Sequence, residues 1–245
     1  LPEKAKAVAS RPYDVLNSEE ARKEAAGNPD SFLHVVKPEI DLPNGTDLYS
    51  RAVYEKGRDN FKKLIDAGVL FEDSKPCFYL YELTMDGRTQ TGVVGCSAVQ
   101  DYFNDIILKH ELTRPDKEED RKNHIRHTDM NAEPVFFTYR ANDELDDLVA
   151  RKTNGEPVYD FTAVDGIRHR FWVVSDESWI DRVVQVFQSI PYVYVADGHH
   201  RTAAAALVGR ERQANNPGHC GEEEYNFFLS VLFPDNQLRI LDYNR

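Results

Sequence analysis

The chain has 245 residues, with 30 Lys and Arg against 42 Asp and Glu and a formal net charge of -12, for a pI near 5.1. Set against ~150 residues for a typical domain, this length can bury a core without disulfide staples, and the acidic balance disfavours a broad nucleic-acid binder because it repels a phosphate backbone. A composition that is 41% hydrophobic and 11% aromatic is that of an ordered globule, and no apolar run reaches the ~18 residues needed to cross a bilayer. Three cysteines, Cys77, Cys96 and Cys220, are odd in number and far apart, which suits a reducing compartment and a cytoplasmic protein. The chain opens on Leu1 with no basic-then-apolar signal segment, and Leu238 to Arg245 ends within what reads as a strand. The expectation is a truncated piece of a longer protein.

Asn17-Ser18-Glu19-Glu20 supplies a helix cap followed by acids, and Gly27-Asn28-Pro29 a stop. Thr46 is the expected cap of a longer helix with Ala52, Val53, Gly57, Phe61, Leu64 and Ile65 on one face, ending at Gly68. Cys77 to Thr84 and Thr89 to Val99 flank Asp86-Gly87 as a hairpin. Asp101 to Thr128 reads as two helical pieces joined at Arg114-Pro115, since Pro fits a first turn. Strand 134–139 and helix 143–150 follow, then a second hairpin, Val158 to Val164 and Ile167 to Val174, turning on Asp165-Gly166. Asp176 caps a helix striped by Trp179, Ile180, Val183, Val184 and Phe187. Strand 191–196 leads through Asp197-Gly198-His199-His200-Arg201 into an alanine-rich helix from Thr202 to Gln213. A loop over 214–224 precedes strands Tyr225 to Phe233 and Gln237 to Tyr243. Strands mixed with helices give an α+β class, a mixed sheet flanked by helices, in a single domain over 1–245 with a possible insertion around 70–175.

The chemistry gathers where a strand ending in D-G-H-H-R runs into a helix. Free backbone N–H groups, the helix dipole, two imidazoles and a guanidinium meet there, which makes an anion site. Gly198 allows close backbone approach, Arg201 can fork onto two phosphate oxygens, and His200 can add a charge-assisted bond or shuttle a proton. Asp197 is placed to hold a metal, an amine or a hydroxyl. The plainer alternative is a tight turn whose Asp caps the helix beside two surface histidines. A second cluster, His110, Glu111 and Arg114 followed by Arg121, His124, Arg126 and His127, can line the same cleft as an opposite wall; a solvated helix face explains it equally. A third, Tyr13, Asp14, Glu19 and Glu20, is explained by capping as well as by catalysis. His219-Cys220 carries no signal of an activated thiol. The Walker and G-x-G-x-x-G patterns are absent, and cysteine spacing makes no zinc ribbon.

R-P-Y-D-V at 11–15, A-G-N-P-D-S-F-L-H-V at 26–35, H-E-L-T-R-P at 110–115 and Y-V-A-D-G-H-H-R at 194–201 together resemble the domain-of-unknown-function family ten-fifteen, over essentially the whole chain. The D-G-H-H-R element also resembles the G-x-H-R of the ParB/sulfiredoxin superfamily, which includes free-serine kinases. That resemblance implies a ParB/sulfiredoxin-like core with inserted β-hairpins and nucleotide phosphates at the helix after the motif. It places Gly198, His200 and Arg201 on phosphate, with His199 and Thr202 beside them, and Asp197 in substrate binding and chemistry. The free-serine kinases also use an N-terminal Glu as base; Asp14, Glu19 and Glu20 compete for that role here.

The leading functional expectation is a nucleotide-dependent kinase of a small hydroxylated metabolite, free L-serine being the favoured guess, with Mg²⁺ and ATP or ADP as cofactors. Asp197, Asp14 and Glu19 are the catalytic candidates, and no metal is assigned to protein side chains alone. The alternative is a nucleotide- or phospholigand-binding regulatory module without turnover. ParB-like DNA binding is disfavoured by the acidic charge, no membrane partner is expected, and the sequence leaves the oligomeric state open.

Overall fold

A computed structural model describes residues 2–240. In chain order its helices and strands are α1 (Ala5–Val8), α2 (Ser18–Glu24), α3 (Leu33–Val36), α4 (Arg51–Asp66), β1 (Phe78–Met85), β2 (Arg88–Ala98), α5 (Val99–Phe103), β3 (Ile107–Leu108), α6 (Pro115–Thr128), β4 (Val135–Tyr139) and α7 (Asp143–Thr153). There follow β5 (Tyr159–Thr162), β6 (Arg168–Val174), α8 (Glu177–Ser189), β7 (Val193–Asp197), α9 (His199–Ala214) and β8 (Phe227–Pro234). The chain divides into two compact units. A helical unit takes the residues up to Asp73, Leu112–Pro134 and His199–Phe228; a sheet unit takes Ser74–Glu111, Val135–Gly198 and the residues from Leu229 on.

In the sheet unit, strands are ordered β3-β7-β4-β8-β2-β1-β6-β5. The pairs β3/β7 and β4/β8 are parallel, while β1/β2, β1/β6, β4/β7 and β5/β6 are antiparallel. This is a mixed sheet in an α+β fold. The period-2 alternation of the strands sends Leu80, Val93, Trp172 and Val174 to one face, where Trp179, Val183 and Val186 of α8 and Leu145 and Val149 of α7 cover them. The opposite face carries Val94, Val231 and Phe233, with Tyr79, Tyr81 and Phe171 packed beside them.

The helical unit builds its cores from short amphipathic pieces. Leu16, Ala21, Ala25, Leu33, Val36 and Ile40 form one, with Tyr13 and Ala132 at its edge. Val35, Leu64 and Val69 form another, with Phe61 and Met130 against it. On α9, Ala203 to Ala206 are all buried, small side chains that let α9 lie close to α6.

Several expectations are corrected. Ser50, not Thr46, is the N-cap of α4; the Thr46 hydroxyl is spent on the Pro43 carbonyl at 2.7 Å. The expected two-piece helix over 101–128 is only half present. Its first part stops at Phe103, Asp105 turns left-handed at φ 55, and β3 forms against β7 before α6 begins at Pro115. The second hairpin is not a two-residue turn. Ala163 and Ile167 close a wider loop, in which Gly166 takes φ 84 and the Asp165 side chain accepts the Ile167 N–H. The Asp86-Gly87 turn has both residues at positive φ, 51 and 75, as its register requires. Val184 of the α8 stripe is 37% exposed, and Val186 is buried in its place. The last strand expected over 237–243 is absent as far as Leu238–Ile240 goes, because a 3-10 turn occupies Asp235–Gln237; its remainder lies outside the described residues. Helix α9 starts at His199, three residues before the expected Thr202. No helix among the described residues is long and apolar enough to cross a membrane.

Candidate functional site

The helical unit brings three distant segments together around Tyr13. The backbone N–H of Tyr13 donates to Glu133 Oε1 at 2.9 Å, and the Arg121 guanidinium carbon lies 3.9 Å from the centre of the Tyr13 ring, a cation over an aromatic face. Arg121 itself is held by Asp120. Its Nε and Nη2 both donate to Asp120 Oδ2, at 3.1 and 2.7 Å, while Asp120 Oδ1 accepts the Tyr54 hydroxyl at 2.9 Å. Lys37 closes the turn from the far side, donating to the Tyr13 carbonyl at 3.4 Å and pairing with buried Glu39 at 3.1 Å. Ser18 donates to the same Glu39 carboxylate at 2.8 Å.

Electrostatics ties the cluster further. Burial raises the Glu133 carboxyl above the usual carboxylate range, against the pull of Arg201, the Tyr13 N–H and Arg121, and Asp14 raises it further. Burial likewise pushes the Tyr13 phenol up to about 12, with Arg121 opposing and Asp14 and Glu133 adding to the rise. Two guanidiniums, Arg121 and Arg201, and three carboxylates, Glu133, Asp14 and Asp120, therefore share one neighbourhood. Asp14 is exposed at its edge. Among the described residues the second oxygen of Glu133 has no hydrogen-bond partner.

The first turn of α9 sorts its own residues. His199 and Thr202 point inward, at 7% and 0% exposure, whereas His200 and Arg201 stay half-buried. Thus, of the expected phosphate-contacting run, it is the side chains of His200 and Arg201 that keep solvent contact. Arg201 Nη1 donates to the Pro134 carbonyl at 2.9 Å, one residue beyond Glu133. His200 Nε2 accepts the Arg114 N–H at 3.0 Å. Asp197 and Gly198 belong to the sheet unit: exposed Asp197 is paired opposite Phe136, and Gly198 takes φ 88.

Other candidates have structural duties. Glu19 pairs with Lys23 on the exposed face of α2, and Glu20 completes a capping box with Asn17. Of the three N-terminal acids, Asp14 alone is coupled to Tyr13 and Glu133 among the described residues. His124 is buried and gives its Nε2–H to the Val35 carbonyl at 3.1 Å; burial depresses its imidazole to about 4. It packs the interior and is no cleft wall. Arg126 forks onto Glu211 of α9 at 3.0 and 2.7 Å and reaches Glu119 and Asn123 with Nη1; it bolts α6 to α9. The Arg114 side chain lies exposed on Asp116. His110 and Glu111 are exposed beyond β3 in the sheet unit. The sequence singled out Tyr13 and Arg121 but not Glu133, Asp120 or Tyr54. No short motif marks these three, whose partners lie 120 and 66 residues away.

Among the described residues no group of three or more His, Cys, Asp or Glu could hold a metal ion. The family model described as "Protein of unknown function (DUF1015)" matches residues 1–245. No curated protein matches the chain, and no solved structure does.

Proposed function

The chain belongs to the DUF1015 family, and we propose that it is a nucleotide-dependent phosphotransferase acting on a small hydroxylated metabolite. The observation that carries this reading is the Tyr13 cluster, where Glu133, with one carboxylate oxygen uncommitted, sits in the field of Arg121 and Arg201. Phosphoryl transfer asks for fixed positive charge and a base within reach of the attacking oxygen. Arg201 and His200 at the α9 first turn meet the phosphates, and Arg121 adds charge from α6. Glu133, whose raised proton affinity suits a base better than an ordinary surface acid, takes the proton from the acceptor hydroxyl. The new O–P bond then forms as the bond to the departing nucleotide oxygen breaks. Asp14 orients the acceptor from the edge of the cluster.

ATP or ADP fits the charge of this neighbourhood. Mg²⁺, when bound with the nucleotide, would supply charge neutralisation to the phosphates. Incubation with ATP or ADP, Mg²⁺ and a panel of hydroxy amino acids beginning with serine, followed by ³¹P NMR, tests the proposal. A phosphomonoester signal is expected; its absence with every acceptor counts against a kinase. The second reading, a phospholigand-binding module without turnover, draws on the Arg201 bond to Pro134, which engages part of the guanidinium within the protein. Nucleotide binding by calorimetry with no transfer selects it.

A further inference from the structure

We propose that the Arg114 main chain fixes His200 as a neutral Nδ1–H donor, and that this N–H is what His200 offers an anionic ligand oxygen at the start of α9. The ligand half of the proposal rests on the phosphate reading above; the tautomer half stands without it. The Arg114 amide N–H meets His200 Nε2 at 3.0 Å. A backbone amide can only donate, so Nε2 must carry the lone pair, and the single proton of the neutral ring sits on Nδ1. Among the described residues Nδ1 has no hydrogen-bond partner, and the ring is half-buried rather than enclosed.

The lock acts through the backbone. Arg114 turns its guanidinium onto Asp116, at 3.3 Å from Nε and 2.8 Å from Nη2. Next to it, Thr113 Oγ1 donates to Glu118 Oε2 at 2.8 Å, which pins the approach to α6. As the N-cap of α6, Arg114 holds φ -80 and ψ 127, the extended conformation expected before Pro115. Part of the segment singled out as an opposite wall therefore contributes one amide rather than a side chain.

The consequence is chemical. With Nε2 engaged, the ring has a proton to donate and no lone pair to spare, so it cannot take a proton from an acceptor hydroxyl without giving up the Arg114 bond. Proton abstraction stays with Glu133, and His200 acts by orienting an acceptor atom such as a phosphate oxygen. A ligand presenting a donor at that point is rejected.

Long-range ¹H–¹⁵N NMR of the imidazoles, with His200→Gln to assign the ring, decides the matter. The wild type and Arg114→Ala, which keeps the amide, are expected to show the Nδ1–H tautomer. Arg114→Pro removes the N–H at backbone angles that proline adopts. It is expected to move the ring to the Nε2–H form and to weaken ADP binding roughly tenfold, the effect of one misdirected hydrogen bond to a charged group. An Nε2–H ring in the wild type overturns the proposal, as does a folded Arg114→Pro variant that matches Arg114→Ala. If Arg114→Pro does not fold, the wild-type spectrum alone decides. ADP that binds but leaves His200 Nδ1–H unmoved overturns the ligand half. Failure of ADP to bind counts instead against the proposed function and leaves the tautomer result intact.

Discussion

At Glu133 the observed hydrogen bond and the proposed base fall on two different oxygens. Oε1 holds the Tyr13 N–H, which fixes the R-P-Y-D turn, while the other oxygen is the one assigned to the acceptor proton. Glu133→Gln preserves a carbonyl oxygen for Tyr13 and removes the basic site, so the turn and the nucleotide affinity are expected to survive. The transfer rate should fall about 10²- to 10⁴-fold, the usual contribution of a positioned general base. Single-turnover transfer beside an ADP titration measures both. Loss of ADP binding in step with the rate would show that Glu133 is a structural bracket rather than the base.

At the level of elements, the packing of α4 against the 3-10 turn at Pro38–Asp41 and α6 turns on Gly57. A Cβ there would lie 3.1 Å from the Val35 carbonyl, 3.3 Å from Pro38 Cγ and 3.7 Å from His124 Nε2. Alanine gains about 1 kcal/mol of helix propensity against a close contact that backbone must yield, so Gly57→Ala should be near neutral. Gly57→Val adds methyls with nowhere to go and loses the propensity gain, and should cost about 1–3 kcal/mol in urea unfolding. A stabilised Gly57→Val variant would mean that α4 shifts freely. Asn17→Ala removes the side chain that accepts from both Glu19 and Glu20, and should cost about 1 kcal/mol by the same measurement. Elements of this kind were legible because their signals are local: Asn17 announces α2, Asp86-Gly87 the first hairpin, Pro115 the start of α6. What was not legible depends on distant partners. Strand β3 is two residues long and exists through pairing with β7, so its own sequence says nothing of it. The start of α9 is not legible locally because His199 and His200 are weak helix formers, whereas in the fold His199 is drawn into the helix by its buried face. Arg121 and Tyr13 were visible as types, but the reason they matter, Glu133, lies 120 residues from Tyr13.

For the molecule as a whole, buried titratable groups set the pH range over which the chain stays folded. His124 is depressed to about 4 by burial and by Arg121, so it remains neutral in the fold while an unfolded imidazole protonates near 6.5. Below about 6.5 the unfolded chain binds a proton that the fold refuses; its contribution is complete above that pH and falls away as pH drops towards 4, to a total of about 3 kcal/mol. Glu133, raised by burial, acts in the opposite sense, since its contribution is present at low pH and lost as pH rises through its folded value. A comparison with His124→Gln, whose amide can still donate to Val35, isolates the first effect. Urea midpoints at about pH 7 and about pH 4.5 should converge for the variant relative to the wild type. The alkaline edge belongs to phenols. Burial raises Tyr13 and Tyr81 to about 12, and raises Tyr54 and Tyr139 above the ordinary 10 as well. Their contribution is whole below 10 and is lost as pH climbs through the folded values, because the unfolded chain ionises first. Spectrophotometric titration should then show tyrosinate from these four phenols appearing only together with unfolding. A single smooth ionisation of the phenols, with the fold intact, would show that these four rings are open to solvent.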